Sequence, residues 1–182
     1  MSDDRPALLL SAGAAADPDP AAVQAALAEL GLLGAPWRPG RYLAGPGFLN
    51  HIAFLGCAPA VDFAPRDDLA FCHVHLPGRL PAPRWYSHPR ARPTCPACRA
   101  TLADWRNQGD PADPDTRLTC SACGHVAPLG AWRWRGRLVA ASRCPVLIEH
   151  IFEGEAVPGD RLLTALREAT GSPWRPAWVT LD

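Results

Sequence analysis

Residues 94–124 read TCPACRATLADWRNQGDPADPDTRLTCSACG and contain two Cys-x-x-Cys pairs. The pairs are Cys95 with Cys98 and Cys120 with Cys123, and 21 residues separate them. Two residues between paired cysteines allow a tight turn to bring both sulfurs to one ion, and a second pair completes the four-thiolate shell of a structural Zn²⁺ site. Because that shell leaves no open coordination position, the spacing predicts a structural zinc and not a catalytic one.

The interval between the pairs can leave the site and return to it. Residues 101–105 are expected to run outward as a strand, residues 107–115 are rich in turn formers, and residues 116–119 are expected to run back. With its two knuckles, the stretch 94–134 resembles the zinc-ribbon family, which is built on short antiparallel hairpins. The resemblance implies zinc as the cofactor and the four cysteines as its ligands. Gly124 follows the second knuckle and suits a left-handed backbone, whereas Arg99 follows the first.

Two other interpretations of the cysteines stay open. Cys95-Pro-Ala-Cys98 alone would fit a redox dithiol, but that chemistry places the first cysteine at a helix N-terminus directly after a strand, and Arg92-Pro93-Thr94 precedes it here. An iron–sulfur cluster or another metal is the second alternative. The paired spacing favours zinc over both.

Composition places the chain among ordinary globular proteins. It has 182 residues, of which 48% are hydrophobic and 20% charged, and no apolar run approaches the ~18 residues that span a bilayer. Seven cysteines, an odd number, and the lack of a secretory pattern at the start argue against a disulfide scaffold. We therefore expect a cytoplasmic protein with no membrane segment.

Charge is distributed unevenly along the chain. All 18 basic residues are arginine; residues 79–143 hold 11 of them against 4 aspartates, a net of +7, and the remainder carries −7. A basic middle between acidic ends indicates an anionic partner, or attraction between the two parts of the chain.

The two ends of the chain predict one small mixed α+β domain. Leu8–Leu10 is expected to be a short buried strand, and Asp19 is expected to cap a helix that begins at Pro20. A strand, a helix capped by Asp160 and ended by Gly171, and a final strand are expected to close the chain. We expect residues 1–78 and 137–182 to pack together around one sheet, and residues 79–136 to form the inserted zinc-ribbon module with its Pro- and Arg-rich lead-in. Residues 36–47 are expected to be a loop, residues 48–55 a helix, and residues 77–93 a connector that five prolines keep irregular.

Arginine and tryptophan concentrate on both sides of the cysteine pairs. The candidate partner-binding residues are Arg84, Trp85, Arg90, Arg92, Arg133, Arg135 and Arg137. Guanidinium groups bind phosphates, and aromatic rings can stack on bases. However, alternation places Trp132 and Trp134 on one face and the arginines on the other, which is typical of an amphipathic strand. We expect docking on a protein partner, with nucleic-acid binding as the alternative.

The remaining reactive residues have ordinary interpretations. Cys57, Cys72 and Cys144 lie in apolar surroundings and are expected to be buried thiols. His73 and His75 share one strand face, a spacing that a second metal site could use if a third ligand were present.

Nothing in the sequence points to catalysis. Glu149, Glu153 and Glu155 are expected on a solvated strand edge. The common nucleophile, phosphate-loop and dinucleotide motifs are missing from the sequence, so an enzyme is the third hypothesis and a non-enzymatic protein the prediction.

Overall fold

A computed structural model describes residues 5–55, 61–113 and 115–181. Within these ranges the chain is a mixed α+β structure with three α-helices, fourteen short strands and two 3₁₀ helices. The helices are α1 (Pro20–Glu29), α2 (Phe48–His51) and α3 (Asp160–Thr170), and the 3₁₀ helices cover Trp105–Gln108 and Leu129–Ala131. The strands are β1 (Arg5–Ser11), β2 (Leu33–Arg38), β3 (Arg41–Ala44), β4 (Ile52–Phe54), β5 (His73–His75), β6 (Arg84–Ser87), β7 (Pro93–Thr94), β8 (Arg117–Thr119), β9 (Val126–Pro128), β10 (Arg133–Trp134), β11 (Val139–Ser142), β12 (Val146–Glu149), β13 (Ala156–Pro158) and β14 (Arg175–Leu181). None of the helices in the described part of the chain has the length and apolar character needed to cross a membrane.

Strands from both ends of the chain form one eight-stranded sheet. Its order is β11-β6-β14-β1-β12-β5-β3-β2, and the neighbouring strands pair antiparallel. The first strand pairs with the last over its whole length, from Arg5 opposite Leu181 to Ser11 opposite Arg175. Leu8, Leu9 and Leu10 are buried together because β1 lies inside the sheet with both faces covered. The prediction that the chain ends share a sheet is confirmed.

The helices α1 and α3 pack on one face of this sheet. Leu27 of α1 and Leu166 of α3 are buried in the same cluster as Leu8 and Leu10 of β1. The Asp19 side chain caps α1 by accepting a hydrogen bond from the backbone N–H of Ala21 at 3.1 Å, as expected. Gly171 ends α3 in the left-handed conformation with a φ of 71°, as expected. The expected cap by Asp160 is wrong, because Asp160 is the first helical residue and Gly159 precedes it as the N-cap without a side-chain hydrogen bond. The opposite face carries a second cluster that includes Leu9, Leu147 and Tyr86.

Two expectations for the N-terminal half are wrong. Residues 36–47 are not a loop, since β2 and β3 form a hairpin that turns at Gly40. Pro36 is tolerated because β2 is an edge strand, where the missing N–H costs no ladder hydrogen bond. The helix expected over residues 48–55 ends at His51, because residues 52–54 pair with β13 instead.

The Pro-rich segment 77–93 also contains regular structure, contrary to expectation. Residues 84–87 form β6, which lies between β11 and β14 in the main sheet. Pro81 and Pro83 precede this strand and Pro89 follows it, so none of them removes a hydrogen bond from its ladder. Through β6 the segment before the first cysteine pair is part of the main sheet.

The cysteine-bearing segment has a hydrophobic cluster of its own. Its two small antiparallel pairs are the long-range pair of β7 with β10 and the hairpin of β8 with β9. Instead of the outward strand expected over residues 101–105, the chain makes an isolated bridge from Thr94 to Thr101 and then the 3₁₀ helix Trp105–Gln108. The buried members of this ribbon cluster are Ala91, Cys95, Leu102, Trp105, Leu118, Cys120, Ala127, Leu129 and Trp132.

Candidate metal centre

The four predicted ligands lie together in space. The sulfur atoms of Cys95, Cys98, Cys120 and Cys123 are all within 4.8 Å of one another. Cys95 Sγ is 3.8 Å from Cys123 Sγ, and Cys98 Sγ is 3.6 Å from Cys120 Sγ. Four sulfurs bound tetrahedrally at the usual Zn–S distance of ~2.3 Å would be separated by about 3.8 Å. The convergence of the two pairs is therefore confirmed, and the spacing of the sulfurs is compatible with a zinc ion.

The backbone of the first knuckle repeats that of the second. The N–H of Arg99 donates to the Cys95 carbonyl oxygen at 3.0 Å, and the N–H of Gly124 donates to the Cys120 carbonyl oxygen at 2.9 Å. Arg99 has a φ of 67° and Gly124 one of 72°. Arg99 thus adopts the left-handed conformation that glycine takes more readily, and the departure from glycine leaves the first knuckle intact.

A second hydrogen bond is also shared by the two knuckles. The N–H of Cys95 donates to the carbonyl oxygen of Ala100, and the N–H of Cys120 donates to that of His125, each at 2.8 Å. These bonds close each turn directly behind its first cysteine. Cys95 and Cys120 are buried as a result, while Cys98 and Cys123 reach the surface.

The pKa values of two of the adjacent thiols, Cys95 and Cys123, are shifted in opposite directions. Burial raises the pKa of Cys95, but hydrogen bonds from the backbone N–H groups of Cys98 and Ala97 outweigh it and lower the pKa to about 6. At Cys123, the backbone N–H of His125 favours the thiolate, yet the neighbouring thiols and burial raise its pKa to about 12. Further thiolates next to the first are opposed by like charge. A divalent cation removes that opposition, so the donor set fits a metal ion.

Tryptophans form much of the core beside the cysteines. Trp105 and Trp132 are buried, and their indole N–H groups donate to the carbonyl oxygens of Ala91 and Ala127 at 2.9 and 3.2 Å. Trp134 is half-buried, and its ring centroid lies 4.9 Å from that of Trp105. The amphipathic interpretation of residues 132–135 is confirmed, because Arg133 and Arg135 are exposed on the other side.

One arginine connects the ribbon cluster to the main sheet. Arg106 donates to the hydroxyl of Ser87 at 2.8 Å and to the carbonyl oxygen of His88 at 2.6 Å. Trp85 of β6 packs from the sheet side, with its ring centroid 6.3 Å from that of Trp134. Both contacts attach the cysteine-bearing segment at the end of β6.

Three arginines of the basic middle segment neutralise acids outside it. Arg79 and Arg143 both face Asp17, and Arg90 pairs with Glu153. The uneven charge distribution therefore does stabilise contacts between parts of the chain. These ion pairs account for only part of the positive charge of the middle segment.

The other candidate partner-binding residues differ in the hydrogen bonds and ion pairs that their side chains make. Arg92 donates to the carbonyl oxygens of Pro89 and Ala91. Among the described residues, seven exposed arginines of the middle segment make no ion pair with a carboxylate: Arg84, Arg92, Arg99, Arg117, Arg133, Arg135 and Arg137. Binding by these residues stays a prediction.

Glu149 is not on a solvated edge, and that expectation is wrong. Its side chain is 1% exposed and lies at the centre of the sheet face opposite the helices. His75 Nδ1 and Arg41 Nη1 both lie 2.6 Å from its Oε1, and Arg5 Nη1 lies 3.0 Å from its Oε2. Burial alone would raise the pKa of the Glu149 carboxyl, but the surrounding imidazoles and the Arg41 guanidinium hold it well below its usual range.

The same cluster accounts for the two histidines. His73 Nδ1 lies 2.8 Å from the carbonyl oxygen of Phe71, and its Nε2 lies 2.6 Å from Arg41 Nη1. Because a carbonyl oxygen only accepts, Nδ1 carries a proton. Nε2 lies between Arg41 and Glu149, 3.5 Å from Oε2 of the carboxylate. Both imidazoles are therefore held in an ionic cluster with Glu149 and Arg41. A carboxylate that directly follows the buried run 146–148 is the sequence signal that could have revealed this cluster.

The cysteines outside the four-sulfur group are inert where the structure describes them. Cys72 and Cys144 are buried in the core under the helices. Burial raises the pKa of the Cys72 thiol to about 12, which suppresses the reactive thiolate. The prediction for Cys57 falls outside the described residues.

Comparison of the chain with family models, with curated proteins and with solved structures finds no match. The resemblance to zinc ribbons accordingly rests on the two cysteine pairs and their geometry.

Proposed function

We propose that the four cysteines bind one structural zinc ion in a ribbon-like module, and that this module docks the chain on another protein. The four-sulfur donor set supports zinc, since soft thiolates in tetrahedral arrangement select Zn²⁺ or an iron–sulfur centre. Four protein ligands leave no coordination position for a substrate, so the proposed role of the ion is structural. A non-enzymatic role of the whole protein is part of the same proposal.

The observation that carries the docking proposal is the set of exposed arginines around the cysteine site. Arg133 and Arg135 project from β10 and the turn after it, and Arg84 projects from β6. None of the three pairs with a carboxylate in the described part of the chain. Guanidinium groups form strong, geometrically specific bonds to carboxylates, so such a surface suits an acidic protein partner.

The environment of the tryptophans favours a protein over a nucleic acid. Sequence-independent binding of single strands uses exposed aromatic rings as stacking platforms. Trp105 and Trp132 are instead buried in the ribbon cluster, with their N–H groups bonded internally. Because these two rings are buried, the exposed arginines fit carboxylate recognition better than base stacking.

Pull-down from the host, with and without nuclease, tests this function. The bait is the zinc-loaded full chain, compared with an Arg133→Glu/Arg135→Glu variant and with an Arg161→Glu/Arg167→Glu variant of equal charge. Arg161 and Arg167 are exposed on α3, away from the cysteine site, and so form the control.

If the module docks on a protein, the wild type and the control variant should capture one protein in stoichiometric amount, with and without nuclease. The Arg133→Glu/Arg135→Glu variant should not capture it. Capture that disappears with nuclease, and that weakens with salt by about 0.9 log units per phosphate contact on duplex, would assign the surface to nucleic acid instead. Equal capture by both variants would refute the location of the surface.

A further inference from the structure

A groove opens on the surface between the helices α1 and α3. Its volume is about 610 Å³, and residues of both helices line it. The helices pack against each other along their length, while Leu27 of α1 and Leu166 of α3 point into the core under the sheet. The groove therefore lies outside the core, and each helix contributes one wall.

The wall from α1 is apolar surface that the core does not use. It is one stripe of the helix, made of Ala22, Ala25, Ala26 and Glu29. The spacing i, i+3, i+4, i+7 puts these residues on one helical face. Only Gln24 and Glu29 of the ten residues of α1 are polar, so the helix is apolar on the groove side as well as on the core side. Such a helix is typical of an element that is covered on both sides.

The wall from α3 carries one charge of each sign at its ends. It has the same spacing and consists of Arg161, Thr164, Ala165 and Glu168. Arg161 and Glu168 are exposed and lie two turns apart, about 10 Å along the helix axis, which is too far for them to pair with each other. Among the residues that the structure describes, neither forms an ion pair.

This stripe is complementary to itself. A two-fold axis that passes between Thr164 and Ala165 sets α3 antiparallel to α3 of a second copy, and each Arg161 then faces the Glu168 of the other copy. The short side chains in the middle allow the two helix axes to approach to about 8 Å. A partner of a different sequence would not require opposite charges at symmetric positions of one stripe.

We propose that the groove binds a second copy of this chain, with α3 of each copy lying in the groove of the other. The ten residues that line the groove are fewer than the roughly 20–30 per side of a standard interface, so the dimer is weak and reversible. None of these residues belongs to the segment 79–136 that carries the cysteines. The dimer is therefore independent of the proposed docking function.

Sedimentation velocity of the full chain tests the proposal, over a concentration series that reaches about 1 mM and so covers weak association. The variants are Arg161→Glu, Glu168→Arg and the combination of both. An acid near the start of α3 and a base near its end suit the helix dipole, so these reversals should leave the helix folded, which circular dichroism checks. Arg167→Glu, at an exposed position of α3 outside the groove, is the control for charge.

The wild type should show a monomer–dimer equilibrium. Each single reversal should raise the dissociation constant roughly tenfold or more, because like charges then meet at both ends of the stripe, and the combined variant should return it to within about threefold. Arg167→Glu should change it less than about twofold. A monomer at every concentration, or a combined variant that associates as weakly as the single ones, would overturn the proposal.

The α1 wall is tested separately with Ala25→Arg, since Ala25 is exposed and a long cation there blocks the groove without disturbing the core. This variant should be monomeric, whereas Ala28→Arg, at an exposed position of α1 outside the groove, should dimerise like the wild type. Equal dimerisation of both would overturn the placement of the second copy. The Arg161→Glu/Arg167→Glu bait of the pull-down should be monomeric and still capture the docked protein, so failure of the dimer and failure of docking are distinguishable.

Discussion

Replacing Glu149 by glutamine tests whether its ionic cluster stabilises the sheet. The variant keeps the shape of the side chain but removes the buried negative charge, and it therefore mimics the protonated glutamate. Breaking a buried ion pair by removing one partner costs ~3–5 kcal/mol because the opposite charge stays behind. Arg41 and Arg5 retain 14% and 25% of their side-chain exposure, which lets water compensate in part. We expect a loss of about 3 kcal/mol in the free energy of unfolding at pH 7.

The loss of unfolding free energy in Glu149→Gln should become smaller as the pH falls. The pKa of Glu149 is lowered in the folded state, so the charged form adds stability above the unfolded pKa, and this contribution declines as the pH falls toward the folded pKa. One pKa unit corresponds to ~1.4 kcal/mol, so the difference between wild type and Glu149→Gln should shrink by about 2 kcal/mol between pH 7 and pH 3. Comparing the two proteins at each pH cancels the loss of the proposed metal, which is expected equally for both in acid.

Urea denaturation followed by circular dichroism measures this difference. Glu153→Gln is the matched control, because Glu153 pairs with Arg90 near the surface and its removal should cost less than ~1 kcal/mol. An equal cost for both substitutions, or a cost for Glu149→Gln that does not change with pH, would refute the assigned role of the cluster.

Three further predictions concern the metal, a thiol and a helix end. The purified chain should contain one zinc per molecule by mass spectrometry, and Cys120→Ser should lose it and shift the tryptophan fluorescence, since Trp105 and Trp132 are buried in the same cluster as that ligand. Metal-free protein with unchanged fluorescence would contradict this. Cys72 should resist alkylation in the native state and react on unfolding, because burial raises its pKa to about 12; rapid native labelling detected by peptide mapping would count against it. Gly171→Ala should lower stability by about 1 kcal/mol in thermal denaturation, because a side chain is strained at a φ of 71°, and an unchanged midpoint would argue against that helix end.

The cysteine site could be predicted from the sequence because its information is local. A Cys-x-x-Cys pair needs only one tight turn, and the two turns here repeat the same hydrogen bonds. The helix caps Asp19 and Gly171 were readable for the same reason. Arg99 stands where the second knuckle has a glycine, and it adopts the same left-handed backbone conformation as Gly124.

The secondary-structure predictions that are wrong concern segments whose strands pair with distant parts of the chain. Pro36 and the prolines around β6 suggested irregular chain, but an edge position and their placement outside the strand make them harmless. The second helix ends early because residues 52–54 find a partner strand more than 100 residues away. Local propensity carries no information about such a partner.

The sequence by itself determined the α+β class, the pairing of the two chain ends and the identity of the four sulfur ligands. Only the tertiary structure decided that Glu149 is buried among His75, Arg41 and Arg5, and that Trp85 lines a groove. Both features depend on sheet order and register, which bring together β1, β3, β5 and β12 in one case and β6 and β14 in the other. Since the energy of burying a charge depends on those neighbours, no single segment of the chain determines it.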